Sequence, residues 1–201
     1  MTRRTTALCL SVAAAVACAC GAYAYHHHHR YKHLAVHDPG VVYRSAWLEP
    51  DALAEVIEQH DIRAVVNLCA PGETGEPRWA AERATVAGCG ATLIEVEMPL
   101  SVDPADPAIE RHLAVLADPG NYPMLVHCRH GVTRTAKLLA MYDIALGGRT
   151  AEQTLAAQPT FGRDEHNAHV TAFVREFERS HKTLYPRVTA AAPPAPGTGT
   201  F

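Results

Sequence analysis

The chain has 201 residues, a length that fits one compact α/β domain of about 150 residues with terminal extensions. Its 18 lysines and arginines against 21 aspartates and glutamates give a formal net charge of −3. A protein that binds nucleic acid usually carries an excess of basic charge, so this balance argues against that class of partner. An anionic ligand must therefore be met by charges placed locally.

The N-terminal residues have the pattern of a targeting or anchoring segment. Two arginines at positions 3–4 precede an uninterrupted run of apolar and small residues at 7–24. This pattern is typical of a signal peptide, with Ala-Tyr-Ala at 22–24 as the cleavage site, and an uncleaved membrane anchor is the second interpretation. Both interpretations predict a membrane-anchored or exported protein, with the periplasmic side favoured. The basic residues Arg30 and Lys32 favour the alternative, a folded domain that faces the cytoplasm.

A histidine-rich tract follows this segment. Residues 26–29 are four consecutive histidines, and His33 and His37 lie close behind them. Histidines without a fixed spacing on a rigid element are more typical of a solvated linker than of a metal site, which is the alternative interpretation.

The composition divides the chain into three parts. We assign residues 1–33 to the signal peptide or anchor with its linker and residues 34–185 to the folded domain. Residues 186–201 are rich in proline and alanine, and we expect them to form a disordered tail.

Hydrophobic periodicity in the central part predicts alternating strands and helices. Short runs rich in β-branched residues predict strands, and apolar residues at spacings of three and four predict helices. In chain order the predicted elements are strand 41–44, helix 50–60, strand 62–68, helix 79–87, strand 92–98, helix 109–116, strand 124–126, helix 133–146, helix 151–158 and helix 164–181. The alternation predicts an α/β fold, a single domain with a central, mostly parallel sheet flanked by helices.

The loop after the predicted strand 124–126 is the most informative feature of the sequence. It begins with Cys128, and Arg134 follows after five residues, where the next helix is predicted to start. Backbone N–H groups at such a turn point into one concavity that binds anions. Gly131 permits the tight backbone conformation of that turn, and the guanidinium of Arg134 can hold two oxygens of a phosphoryl group. The loop therefore predicts a phosphate site.

Cys128 is placed to act as a nucleophile on a phosphate bound in this loop. A helix N-terminus and a nearby cation both lower the pKa of a thiol, and the thiolate attacks phosphorus in line. Thr135 can donate its hydroxyl to the sulfur, which stabilises the thiolate. We expect His127 to order the loop through hydrogen bonds.

A general acid is needed to protonate the leaving group, and a carboxylic acid is the usual donor. Residues 99–107 form a proline-rich loop that contains Asp103 and Asp106. A loop of this kind can close over a substrate. We favour Asp103 over Asp106, and Glu97 is a third candidate that falls inside the predicted strand 92–98.

The nine residues 127–135, His-Cys-Arg-His-Gly-Val-Thr-Arg-Thr, resemble the His-Cys-x-x-Gly-x-x-Arg-Ser/Thr signature of the protein tyrosine phosphatase superfamily. The likeness continues at residues 42–46 and 50–68. These segments resemble small bacterial dual-specificity-type phosphatases and an atypical group that includes inositol pyrophosphate phosphatases. The resemblance spans roughly residues 34–180. Ala136 stands where the family often has glycine, a change that we expect the helix to accept.

The resemblance implies a mechanism with a phosphocysteine intermediate and without a metal or cofactor. By the family motif, Cys128 is the nucleophile, Arg134 binds phosphate and Thr135 assists. It also implies that five residues bind the substrate through their backbone N–H groups: Arg129, His130, Gly131, Val132 and Thr133.

Residues and resemblance together predict a cysteine-dependent phosphatase that hydrolyses phosphate monoesters of the phosphotyrosine or dual-specificity type. An inositol phosphate or a lipid phosphate is the alternative substrate, since Arg129 and His130 add positive charge. A non-catalytic phosphate-binding module and a rhodanese-like sulfurtransferase are alternatives of another class. The presence of both Cys128 and Arg134 argues against the binding module, and His127 and Thr135 argue against the sulfurtransferase. The expected partner is a phosphorylated protein or a small phosphorylated metabolite, with membrane contact through the N-terminal segment.

Two further cysteines in the folded part, Cys69 and Cys89, have no regular spacing that indicates a disulfide framework or a metal pair. We expect both to be small buried core residues. A bridge between them, or a role for either as a resolving partner of Cys128 under oxidation, is the alternative in an exported protein.

Overall fold

The computed structural model of the protein describes residues 3–181. The tail predicted at 186–201 lies outside the described residues. The described strands are β1 (Ala35–Asp38), β2 (Val42–Ala46), β3 (Ala64–Asn67), β4 (Thr92–Glu95) and β5 (Met124–Cys128). The described α-helices are α1 (Arg3–Arg30), α2 (Pro50–Gln59), α3 (Glu76–Gly88), α4 (Ile109–Ala117), α5 (Thr133–Met141), α6 (Ala151–Ala157) and α7 (Ala168–His181).

The strands form one sheet in the order β1-β2-β5-β3-β4. Strand β1 is antiparallel to β2, and every other neighbouring pair is parallel. Strand β5 therefore lies at the centre, hydrogen-bonded to β2 on one side and to β3 on the other. The predicted α/β fold with a mostly parallel sheet is confirmed.

Helices cover both faces of the sheet because successive strand residues point to opposite sides. Val66 and Val126 pack with α4, α5, α6 and α7 in the larger core cluster, whereas Val65 and Leu125 pack with α2 and α3 in the smaller one. All four valine and leucine side chains are fully buried. Such burial on both faces explains why the parallel strands read as continuous apolar runs.

The long N-terminal helix α1 leads into the domain through its last turn. The guanidinium of Arg30 pairs with Asp51 and Glu55 on α2, at 2.5 and 2.9 Å. The carbonyl of Lys32 accepts a hydrogen bond from the amide of Ala46 at the end of β2. The histidines at 26–29, predicted as a linker, continue the helix.

Residues 3–181 contain neither a membrane-spanning helix nor a cluster of metal-binding side chains. None of the helices there has the length and hydropathy that crossing a membrane requires. In the same range no three His, Cys, Asp or Glu side chains are grouped so that they could hold a metal ion.

The elements differ from the predicted ones mainly at their ends. Strand β1 was not predicted, helix α3 begins at Glu76 rather than at 79, and helix α7 begins at Ala168 rather than at 164. The predicted helix 133–146 changes at Tyr142 into a π-helical turn that ends at Leu146. Thr150 and Gln153 form a capping box at the start of α6.

Candidate active site

The site is built where the central strand ends. Strand β5 runs parallel to both neighbours, and its last residues pair with Ala46 of β2 and Asn67 of β3. The chain then forms the cysteine loop, residues 128–134, before continuing as helix α5. Ligands of parallel sheets bind outside the carboxyl ends of the strands, and the cysteine loop occupies that position.

Gly131 lets the cysteine loop pass against strand β2. Its φ of +66° lies in the left-handed region, and a Cβ there would come within 2.4 Å of the carbonyl oxygen of Ser45 and 2.5 Å of the amide nitrogen of Ala46. Both contacts are with backbone, which cannot move aside as a flexible side chain can. No other amino acid fits this position without displacing the loop.

The Cys128 thiol is buried beneath the loop and held by Thr135. The hydroxyl of Thr135 lies 3.3 Å from Sγ and donates to it. Burial raises the pKa of Cys128, but the hydroxyl and the amide of Thr135, the charge of Arg134 and the amide of His130 outweigh it, so the pKa falls below its ordinary value. The site therefore favours the thiolate.

The backbone amides of Gly131 and Val132 in the cysteine loop are available to a ligand. Within residues 3–181, the N–H groups of Gly131 and Val132 donate to no backbone or side-chain acceptor. Helix α5 starts next to them at Thr133, and the first N–H groups of a helix have no partner inside the helix. The concavity thus combines free donors with the positive end of a helix dipole.

Arg134 is held from one side by Glu73. Its two terminal nitrogens donate to the two carboxylate oxygens, each at 2.6 Å, and Nη1 also lies 3.4 Å from the carbonyl oxygen of Leu68. The Nε atom is buried and has no partner. The Glu73 carboxylate raises the pKa of Arg134, which is a cation at every relevant pH, and Arg134 in turn lowers the pKa of Glu73.

A second arginine, Arg44 of strand β2, lies under the same loop. Its side chain is 1 % exposed, Nη2 donates to the carbonyl of Gly131 at 2.8 Å, and its guanidinium lies 4.9 Å from the ring centre of Phe161. Burial lowers the pKa of Arg44 to about 10, and interaction with the Cys128 thiolate opposes that effect. The cation therefore fixes the Gly131 carbonyl and adds positive potential near the sulfur.

His127 is anchored on the side away from the loop. Its Nε2 lies 2.8 Å from a carboxylate oxygen of Glu82, and both side chains are 2 % exposed. The amide of Asn67 donates to the other oxygen of Glu82, and the oxygen of Asn67 accepts from the backbone N–H of Cys69. His127 thus lies between strand β5 and helix α3, and its role in ordering the cysteine loop stays a prediction.

The three candidate acids are all exposed, and they follow strand β4 at the edge of the sheet. Asp103 accepts a hydrogen bond from the amide of Ala105, and Asp106 accepts one from the amide of Ala108, just before helix α4. Glu97 lies beyond the end of β4 at Glu95, not inside a strand as predicted. Among the hydrogen bonds and ion pairs of residues 3–181, none joins these carboxylates to the cysteine loop.

Cys69 and Cys89 are free thiols in the structure. Cys69 is buried, as predicted, and burial raises its pKa to about 12. Cys89 is half-buried at the end of helix α3 and packs against the smaller core cluster.

Basic side chains surround the mouth of the concavity. Arg129 and His130 are exposed, and His33 contacts the carbonyl oxygen of His130 at 2.6 Å while its ring packs on Phe161. The pKa of His130 is lowered, first by partial burial and then by the charges of Lys32 and Arg129. The mouth is therefore locally positive although the chain as a whole is not.

The structure brings together the cysteine, the arginine, the threonine, the histidine and the five loop residues that the sequence predicted, whereas the candidate acids make no bond to them among residues 3–181. Glu73 and Arg44 were not predicted as members of the site. The sequence offered one signal for Glu73, which is an acid in the loop that follows a buried strand.

The model of a protein family described as "PTP-NADK: DSP-PTPase phosphatase fused to NAD+ Kinase" matches residues 41–176. The match covers more than half of the chain, and the chain belongs to this family, the dual-specificity phosphatases of the protein tyrosine phosphatase superfamily. It is therefore a phosphatase. No curated protein matches the sequence.

Solved structures share the fold at low sequence identity. The core catalytic domain of the PP-IP phosphatase SIW14 from S. cerevisiae, in complex with citrate, is 18% identical over 74% of this chain and 90% of that chain, with a TM-score of 0.58. TpbA from P. aeruginosa is 21% identical over 73% and 89%, with a TM-score of 0.53. Human DUSP28 is 16% identical over 74% and 95%, with a TM-score of 0.52.

Proposed function

We propose that this phosphatase hydrolyses phosphate monoesters of the phosphotyrosine or dual-specificity type, with Cys128 as the nucleophile. The thiolate attacks phosphorus, the bond to the leaving oxygen breaks, and a phosphocysteine forms. Asp103 donates the proton that the leaving oxygen needs. Water then attacks the phosphocysteine, which releases inorganic phosphate and returns the thiolate.

The other residues stabilise the negative charge on the phosphoryl group and on the sulfur during transfer. The guanidinium of Arg134 and the N–H groups of the loop are directed at the three equatorial oxygens. The hydroxyl of Thr135 donates to the sulfur and makes it a better leaving group in the second step.

One observation carries the proposal more than any other. The buried thiol of Cys128 receives the Thr135 hydroxyl at 3.3 Å, and the amides of Thr135 and His130 also act on the sulfur. A structural cysteine in a core has no reason to collect hydrogen-bond donors, because a neutral thiol is a weak acceptor. A thiolate below a phosphate site requires them.

The test is hydrolysis without added metal of an aryl phosphate, a phosphotyrosine peptide and a phosphoserine peptide by the full chain. We expect phosphate release that disappears in Cys128→Ser, and a preference for the phosphotyrosine peptide over the phosphoserine peptide. Cys89→Ser is the matched control and should retain activity, since that thiol lies on the other face of the sheet. Activity that survives in Cys128→Ser would remove Cys128 from the mechanism.

An inositol polyphosphate is the second candidate substrate. The exposed Arg129 and His130 stand beside Lys32, close enough for their charges to act on one another. Such a positive rim suits a ligand with several phosphates around the one being cleaved. Faster hydrolysis of an inositol polyphosphate than of the phosphotyrosine peptide, lost in Arg129→Gln, would favour this substrate class.

A further inference from the structure

A buried lysine connects the helix of the cysteine loop to the proline-rich loop. Lys137 lies one turn beyond Arg134 on helix α5 and is 1 % exposed. Its ammonium donates to the backbone carbonyl of Leu100 at 2.6 Å and lies 5.0 Å from the ring centre of Phe173. Among residues 3–181 no carboxylate lies within ion-pair distance of it.

Burying the ammonium of Lys137 costs stability, so we infer that its contact with Leu100 serves a function. A buried ammonium without a counter-ion costs several kcal/mol, and an apolar side chain of the same length would fill the space without that cost. Burial also lowers the pKa of Lys137. Among residues 3–181, the hydrogen-bond acceptor that the ammonium of Lys137 reaches is the carbonyl oxygen of Leu100, three residues before Asp103.

A buried histidine lies between the two ends of the proline-rich loop. The ring nitrogens of His112 on helix α4 lie 3.0 Å from the carbonyl oxygen of Ala108 and 3.1 Å from that of Glu97. These carbonyls flank the proline-rich loop on either side, and the ring is fully buried. Inside this frame Val102 is buried in the larger core cluster, while Leu100 and Asp103 are exposed.

We propose that Lys137, through the carbonyl of Leu100, and His112, through one N–H donated to the carbonyl of Glu97 or of Ala108, are positioning residues that hold the proline-rich loop where its acid can reach a substrate on Cys128. The inference rests on the proposed function. The loop is tied to the same helix that carries Arg134, so phosphate binding and acid placement share one rigid element. Neither side chain touches the substrate.

The test compares two substrates that differ in their leaving group. A misplaced acid slows the substrate with the poor leaving group more, whereas a disturbed fold slows both substrates equally. Phenyl phosphate needs a proton on its leaving oxygen, whereas p-nitrophenyl phosphate releases a stabilised phenolate and needs it less. We expect kcat of Lys137→Met to fall about tenfold or more on phenyl phosphate and less than about threefold on p-nitrophenyl phosphate, because a misplaced acid loses part of its 10²- to 10⁴-fold contribution. KM should stay unchanged on both.

Two further variants complete the design. Lys137→Gln keeps a hydrogen-bond donor and should recover part of the loss on phenyl phosphate. Arg179→Met, which removes an exposed cation on helix α7 paired only with Glu176, is the matched control and should leave both rates unchanged. If Lys137→Met does not fold, His112→Gln is assayed in the same way and must show the same selectivity.

Equal losses on the two substrates, or no loss on either, would overturn the inference. This result is distinguishable from failure of the proposed function, because the wild-type chain and Cys128→Ser are measured beside the variants. A wild-type chain that hydrolyses both substrates only with Cys128 present upholds the function whatever Lys137→Met does. The selectivity must also match that of Asp103→Asn or Asp106→Asn, and without such a match the inference is wrong.

Discussion

Glu73 binds Arg134 through both terminal nitrogens of the guanidinium and leaves Nε of the same group buried without a partner. A guanidinium presents more than one edge to oxygen acceptors, and Glu73 occupies the edge formed by Nη1 and Nη2. The edge that includes Nε is left for a phosphate. The carboxylate thus fixes the plane of the arginine before substrate binds, which avoids an ordering cost at that step.

We expect Glu73→Gln to lower kcat/KM about tenfold, since losing one charge-assisted hydrogen bond costs roughly 1.5 kcal/mol. KM should carry most of the loss, because the arginine still reaches phosphate but is no longer oriented. Glu76→Gln, which removes a carboxylate paired with Arg83 on the exposed face of α3, is the control. Steady-state kinetics on an aryl phosphate give the answer, and an unchanged KM in Glu73→Gln would contradict this account of the pair.

Gly131→Ala should lower turnover about 100-fold, because its Cβ meets the backbone of Ser45 and Ala46 and must displace the loop, and a displacement of about 1 Å costs about that factor in rate. Gly148→Ala is a matched control with nearly the same φ, +65°, and open space around the Cβ, so it should cost only about 1–2 kcal/mol of stability and no activity. Similar activity in the two variants would contradict the role given to the close approach at Gly131.

Arg44→Met should raise the pKa of Cys128, since it removes a buried positive charge that interacts with the thiolate. A thiol with a raised pKa is protonated up to a higher pH, so the rate of alkylation by iodoacetamide should rise only at more alkaline pH. On the acidic limb kcat/KM should fall about tenfold for each unit of the shift. An alkylation profile identical to that of the wild-type chain would leave Arg44 with a purely structural role.

Thr135→Val tests the hydroxyl that donates to the sulfur. The pKa of Cys128 is lowered by that hydroxyl, so the variant should need a higher pH to form the thiolate. Breakdown of the phosphocysteine should slow as well, because the departing sulfur loses its donor. We expect a burst of the aryl alcohol followed by slow turnover in rapid-mixing experiments. Turnover that slows without a burst would place the hydroxyl in the first step only.

The cysteine loop could be predicted from the sequence because all of its parts are local. A short apolar strand, nine consecutive residues and a helix start contain Cys128, Gly131 and Arg134 in one segment. The mostly parallel sheet followed from the alternation of predicted strands and helices. Strand β1 was missed because its four residues show no apolar alternation, and it exists only through its antiparallel pairing with β2.

The supporting residues could not be predicted because they reach the loop from distant parts of the chain. Glu73 pairs with Arg134 across 61 positions, and Arg44 reaches Gly131 across 87. Helical spacing gave no sign that Lys137 would be buried, since a lysine in such a pattern is usually solvated. Asp103 and Asp106 have the same local signal, because each is exposed and accepts a hydrogen bond from the amide two residues further on. The sequence alone therefore does not distinguish them as the general acid.

The measurement that tests the central claim most directly is trapping of the phosphocysteine. The wild-type chain is mixed with an aryl phosphate, quenched with acid during turnover, digested and analysed by mass spectrometry. We predict the mass increment of a phosphoryl group on the peptide that contains Cys128, and its absence in Cys128→Ser. Continued turnover with the increment on no cysteine peptide, or on the peptide of Cys69 instead, would contradict the account.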